Sequence, residues 1–169
     1  MMRSAGSRFS VGYTVVRCAC VCALLLLASQ ASRAQPRFAV RMLQEAGEKE
    51  LRVTLQARGT GTFGLGDGVV ALAYDTLAYH RAELLRAPVF GIAPYREIEL
   101  YTAGDSLYVG FFYDYHARPG LGARIGPEWT ELAHIRFEKK TRKSPPMRLL
   151  PDAAAIVRDD GVELLPADD

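Results

Sequence analysis

From Phe38 onward the chain is written in a two-residue rhythm, broken at short intervals by glycine, proline or aspartate. Leu51, Val53, Leu55 and Ala57 alternate with Arg52, Thr54, Gln56 and Arg58, and Phe38, Val40 and Met42 keep the same beat just before them. Successive side chains of an extended strand point to opposite faces, so this pattern specifies one dry face and one wet face. Val69 to Tyr74 is apolar at nearly every position, as a central strand covered on both sides would be. Ile98, Leu100 and Thr102 continue the pattern. From Leu107 to Tyr115 it divides into two faces. Leu107, Val109, Phe111, Tyr113 and Tyr115 share one, and Tyr108, Gly110, Phe112, Asp114 and His116 share the other. Leu132 to Glu138 sets Ala133, Ile135 and Phe137 opposite His134, Arg136 and Glu138. Ala154–Val157 and Val162–Leu165 flank Asp160-Gly161, a strong hairpin-turn signal. Only Leu77 to Arg86 has leucine spacing that suits a short helix. Lys139 to Pro146 reads as a basic loop, and Pro166 to Asp169 as a frayed acidic end. Eight or nine strands with such turns predict an all-β fold, an antiparallel β-sandwich of jelly-roll type.

The first 34 residues follow a different rule. Arg3, Arg8 and Arg17 form a positive leader without acids, Cys18 to Ala28 is an apolar run, and Ser32-Arg33-Ala34 offers small residues for a signal peptidase. The run is too short to span a bilayer, which takes about 20 residues. The expected product is an exported domain, residues 35–169, secreted or periplasmic, with residues 1–34 removed as a signal peptide. Cleavage there would take away Cys18, Cys20 and Cys22, all the cysteines of the chain, so the domain must rely on an ordinary hydrophobic core. It would also remove four arginines, leaving 17 basic against 19 acidic residues. Such a balance argues against nucleic acid and against electrostatic membrane binding.

Several motifs have a chemical and a plain reading. Gly59-Thr60-Gly61-Thr62-Phe63-Gly64 matches the dinucleotide fingerprint, but that chemistry needs a helix N-terminus on the pyrophosphate, and a strand follows here. The segment is read as a flexible inter-strand loop. Gly104-Asp105-Ser106-Leu107 spells the motif of a lipase and esterase family, yet no Asp-x-x-His follows to complete a triad, and Gly-Asp-Ser is also what a tight turn uses. Asp114 and His116 would share a strand face as the nearest approach to a metal pair, and Asp159-Asp160-Gly161 has too few acids at fixed steps for a calcium loop. No catalytic residue, metal or cofactor is expected. The aromatics carry more. Tyr108 and Phe112 beside Asp114 and His116, together with Trp129, form a candidate binding surface for stacking on sugar or anchoring a protein partner.

Two segments carry a resemblance. Phe63 to Tyr79 has a glycine turn, a strand, Tyr74-Asp75 and a leucine leading onward, and Thr130 to Phe137 has a small apolar residue before a β-branched residue and phenylalanine. The chain thus resembles the cohesin-like and carbohydrate-binding-module-like β-sandwich domains of exported bacterial proteins. The resemblance implies a module that binds rather than catalyses. Cohesins hold a dockerin helix pair on one sheet face, and relatives bind polysaccharide on aromatic side chains. The expected function is protein–protein adhesion or assembly at the cell envelope or outside the cell. Polysaccharide binding is the alternative, and a serine esterase at Ser106 the least favoured. The chain ends soon after the sandwich, with neither a dockerin repeat nor a sorting tail, so the module is expected to work alone. An exposed sheet edge leaves a homodimer open.

Overall fold

The alternating runs fold as strands. The computed structural model describes residues 35–90, 95–116 and 120–167; the leader, residues 1–34, lies outside them. In chain order the strands are β1 (Phe38–Ala46), β2 (Glu50–Gly59), β3 (Phe63–Ala73), β4 (Tyr79–Arg86), β5 (Tyr95–Ala103), β6 (Ser106–Tyr113), β7 (Arg124–Ile125), β8 (Thr130–Lys139) and β9 (Arg148–Arg158), with one 3₁₀ turn at Pro88–Phe90. They form two antiparallel sheets. One has the order β1–β2–β8–β4. In the other, β3 pairs with β6 on one side and with β9 on the other, β5 flanks β6, and the short β7 pairs with the start of β3. This is the all-β antiparallel sandwich that the alternation predicts.

The dry faces meet between the sheets. Leu51, Val53, Leu55 and Ala57 of β2 and Ile135 and Phe137 of β8 pack against Val70 and Leu72 of β3, Val109 and Phe111 of β6, and Ile156 of β9. Each large apolar side chain buried in this way contributes about 1.5–3 kcal/mol. Two turns are as read. The hairpin β5–β6 closes with only Gly104 and Asp105 between the paired Ala103 and Ser106, and Gly104 takes φ +57°, where a side chain is strained. After β9, the Gly161 amide donates to the Arg158 carbonyl, and Val157 bridges Glu163.

Three local readings are corrected. Leu77 to Arg86 is not a helix. From Tyr79 on it is the edge strand β4, because Ala82 and Leu84 pair with Phe137 and Ile135 of β8 and face the core, while Glu83 pairs with Arg136 outside. Leu77, which a helix would have buried, is 83% exposed. The glycine-rich segment is a loop only across residues 60–62; Gly64, Gly66 and Gly68 lie inside β3, at the register shift between Leu65 and Gly68. Close packing explains them. A Cβ on Gly66 would lie 2.3 Å from the Arg158 carbonyl oxygen, and one on Gly68 2.3 Å from the Phe111 ring. Finally, the C-terminal segment is tied down as far as Ala167: Pro166 bridges Phe38, and the Ala167 amide donates to the Phe38 carbonyl.

Candidate functional site

The hairpin β5–β6 builds the most exposed aromatic surface. Its two-residue turn fixes the register, so Tyr101 lies directly opposite Tyr108 and Glu99 opposite Gly110. The inner side of β6 (Leu107, Val109, Phe111, Tyr113) is buried, which turns Tyr108 and Phe112 outward as the alternation requires. The Tyr101 and Tyr108 rings stack 5.0 Å apart and 8° from parallel. Tyr101 is 44% and Phe112 42% exposed. Between them Gly110 leaves a shallow floor; a Cβ there would touch the Phe112 ring at 3.4 Å. Beyond β6 the same two rows continue through Ala71 to Leu150 and through Val69 to Ala155. The described part of this outer face is therefore aromatic at the β5–β6 side and aliphatic at Val69, Leu150 and Ala155, with a register shift between β3 and β9 at Val69–Ala71.

The sequence-predicted site residues do not all gather here. Tyr108 and Phe112 do. Asp114 and His116 follow β6 in a turn rather than continuing the strand, and the His116 amide donates to Asp114 Oδ1 at 3.2 Å. The pair is thus a turn and not a shared strand face. Among the described residues no group of three His, Cys, Asp or Glu side chains is placed to hold a metal. Trp129 belongs to the opposite sheet. It immediately precedes β8, and the guanidinium carbons of Arg41 and Arg58 lie 4.3 and 4.6 Å from its ring centroid. Tyr101, by contrast, belongs to the surface, and the Gly104-Asp105 turn was the signal that places it beside Tyr108.

The two remaining tyrosines of the middle third are structural. At the end of β6, Tyr113 packs on Tyr95 and Tyr115, and its hydroxyl accepts from the Leu121 amide at 2.9 Å. The Tyr95 hydroxyl donates to the Leu65 carbonyl at 2.7 Å and accepts from the Ala123 amide at 3.0 Å. Burial pushes its phenol up to about 12, the Ala123 amide opposes this, and Tyr113, Asp159 and Tyr115 add to it. Asp159, itself buried, accepts from the Gly122 amide at 3.0 Å. These bonds pin residues 121–123 to the end of the sheet.

The outer face of the β1–β2–β8–β4 sheet has another character. Arg52 pairs with Glu50 at 2.7 Å, Arg86 with Glu131 at 3.0 Å, and Arg136 with Glu83. His134 lies between Thr54 Oγ1 (3.4 Å), Glu131 (3.0 Å) and Arg86 (3.3 Å). The His134 hydrogen bond, and then Arg86, hold the Glu131 carboxyl below the usual carboxylate range. At the esterase-like motif, Ser106 begins β6 immediately after the turn, and among the described residues no histidine hydrogen-bonds its hydroxyl.

No protein-family model and no curated protein matches this sequence. Solved structures do match in fold. The sixth cohesin of scaffoldin B from Acetivibrio cellulolyticus, solved with a Cel5 dockerin mutant, superposes with a TM-score of 0.53 at 12% identity, over 78% of this chain and 92% of that one. A type I cohesin–dockerin complex from Clostridium thermocellum gives 0.55 at 12% identity, over 76% and 92%. A type II cohesin–X-dockerin complex from Acetivibrio cellulolyticus gives 0.54 at 8% identity, over 79% and 93%. The fold is the cohesin-like β-sandwich that the two sequence segments resemble.

Proposed function

We propose that this chain is an exported, non-catalytic binding module that holds a protein partner on the outer face of the β5–β6–β3–β9 sheet. The observation that carries the reading is that face itself: Tyr101 and Phe112 exposed, with Tyr108 half-buried between the rows and the partly buried Val69, Leu150 and Ala155 on the neighbouring strands. Large apolar side chains turned to water on a strand-built surface are what a protein interface buries first. The similar cohesins were solved with dockerins, which supports a protein partner over other classes. The leader of residues 1–34 supports export. A dimer through this face is a special case of the same reading.

The stacked Tyr101–Tyr108 pair favours a second reading, in which the face takes a polysaccharide. That reading loses Trp129, which sits on the other sheet under two arginines. One experiment separates the two. A photo-crosslinking residue is placed at Phe112, and the protein is exposed both to host envelope and medium and to a panel of soluble polysaccharides. A discrete protein adduct that Tyr108→Ser removes supports the first reading. Retardation by a polymer, removed by the same change, supports the second. Neither response would sink the face as a binding site.

A further inference from the structure

On the charged sheet Arg52, Arg86 and Arg136 each have a carboxylate partner. Arg41 and Arg58 do not. Among the described residues no carboxylate lies within ion-pair distance of either guanidinium, although both side chains are exposed. What holds them is one indole. Ala57 pairs with Thr130, so Arg58 and Trp129, the next residues along, come to neighbouring positions on the outer face. Arg41 pairs with Gln56 and Ala39 with Arg58, which makes Arg41 the diagonal neighbour of Arg58 across β1 and β2. Both guanidiniums then lie within 5 Å of the Trp129 centroid, at 4.3 and 4.6 Å. Arg41 is further oriented by its Nε, which donates to Gln56 Oε1 at 2.7 Å. The nearest acid in this register, Glu131 opposite Gln56, is taken by Arg86 and His134.

Two like charges drawn to one ring, each with spare N–H donors and no counter-ion among the described residues, repel one another. The ring quadrupole offsets part of that repulsion. An oxyanion drawn to these guanidiniums would offset the rest and accept charge-assisted hydrogen bonds from their free N–H donors. Stacking has already fixed both side chains, so binding loses little rotamer freedom.

We propose that Arg41, Arg58 and Trp129 form an oxyanion-binding site on the face opposite the aromatic one, for a sulfate, phosphate or carboxylate group. The site provides its own reporter, since Trp129 is the only tryptophan in the chain. Tryptophan emission is followed while sodium sulfate, phosphate or acetate is titrated into the purified protein, with sodium chloride at matched ionic strength. The expected result is a saturable change with an oxyanion and none with chloride. The acetate arm against the sulfate and phosphate arms tells which oxyanion class the site takes. Arg41→Gln and Arg58→Gln should each weaken the response about tenfold, the loss of one charge-assisted bond. Arg58→Lys, which keeps charge but not the fork, should fall between. Both arginines are exposed, so these variants keep the fold, which circular dichroism checks. An equal response to chloride, no response to any oxyanion, or a response that Arg58→Gln leaves unchanged overturns the site. None of these outcomes bears on partner capture at Phe112, so the two proposals fail separately.

Discussion

The two outer faces of this sandwich meet water in opposite ways. On β1–β2–β8–β4 most outward positions carry charged or polar side chains, with Leu43 and Leu85 exposed among them, and Glu83 and Glu131 are tied across strands to Arg136 and Arg86. On β5–β6–β3–β9 the outward positions are mainly rings, small aliphatics and glycine, with Glu99 and Arg148 at the margins. Exposed ion pairs contribute little, commonly a fraction of 1 kcal/mol, so the pairs of the first face do little to hold the fold. The second face leaves apolar area uncovered, which is stabilising only when something covers it.

The largest effect expected from breaking this contrast comes from the glycines of the second sheet. β3 brings its backbone against Arg158 and Tyr115 at Gly66. Gly66→Ala should cost about 3 kcal/mol or more, because its Cβ meets a carbonyl oxygen at 2.3 Å with no flexible side chain to yield. The urea midpoint measures it. A midpoint within error of the parent would mean that the register shift at Leu65–Gly68 relaxes freely.

Next in size is the effect on binding. Phe112→Glu should lower partner capture at least tenfold while moving stability by no more than about 0.5 kcal/mol, since the ring is exposed. The matching change on the other sheet, Arg136→Glu, should leave capture unaltered. Equal losses from both would abolish the distinction between the faces, and quantitative pull-down against the crosslinked partner decides it.

These two predictions draw on different amounts of sequence information. Strand positions, the inward and outward sets of β2, β6 and β8, and the Gly104-Asp105 and Asp160-Gly161 turns were legible because period two and turn chemistry are local. β4 was not, because Leu77, Leu84 and Leu85 fit a helix until β8 supplies a pairing partner for Ala82 and Leu84. The strand glycines read as a loop because the atoms that exclude a Cβ come from Asp159, Arg158 and Phe111, all distant in sequence. Of the candidate surface, Tyr108 and Phe112 followed from alternation alone. Trp129 was misplaced because the sequence does not say which sheet an aromatic joins. Asp114 and His116 failed because β6 ends at Tyr113, one residue too early for the pattern to continue.

The two sheets should also fail at opposite ends of the pH scale. Tyr95, at the end of the aromatic sheet, has a folded pKa of about 12 against the ordinary 10. A phenol with a raised folded pKa favours folding fully below its unfolded value and loses that contribution as pH rises toward the folded one. Stability should therefore drop between about pH 10 and 12. Tyr95→Phe should flatten the drop while lowering stability at pH 7, since Leu65 and Ala123 lose their partner. A drop that persists unchanged in Tyr95→Phe would move its cause to another group.

The smallest expected effect belongs to the charged sheet and has the reverse sign. Glu131 is held below its ordinary range by His134 and Arg86. A carboxyl with a lowered folded pKa contributes above its unfolded value and loses that contribution as pH falls through the folded one. Glu131→Gln should thus lower the urea midpoint slightly at pH 7 and less at a pH below its lowered folded value, where the parent carboxyl is protonated too. Added salt at pH 7 should shrink the difference, because the partners are exposed. An equal loss at both pH values would mean that Glu131 acts through packing. The charged face would then hold the fold as the aromatic sheet does, and the contrast between the two would narrow to what each one binds.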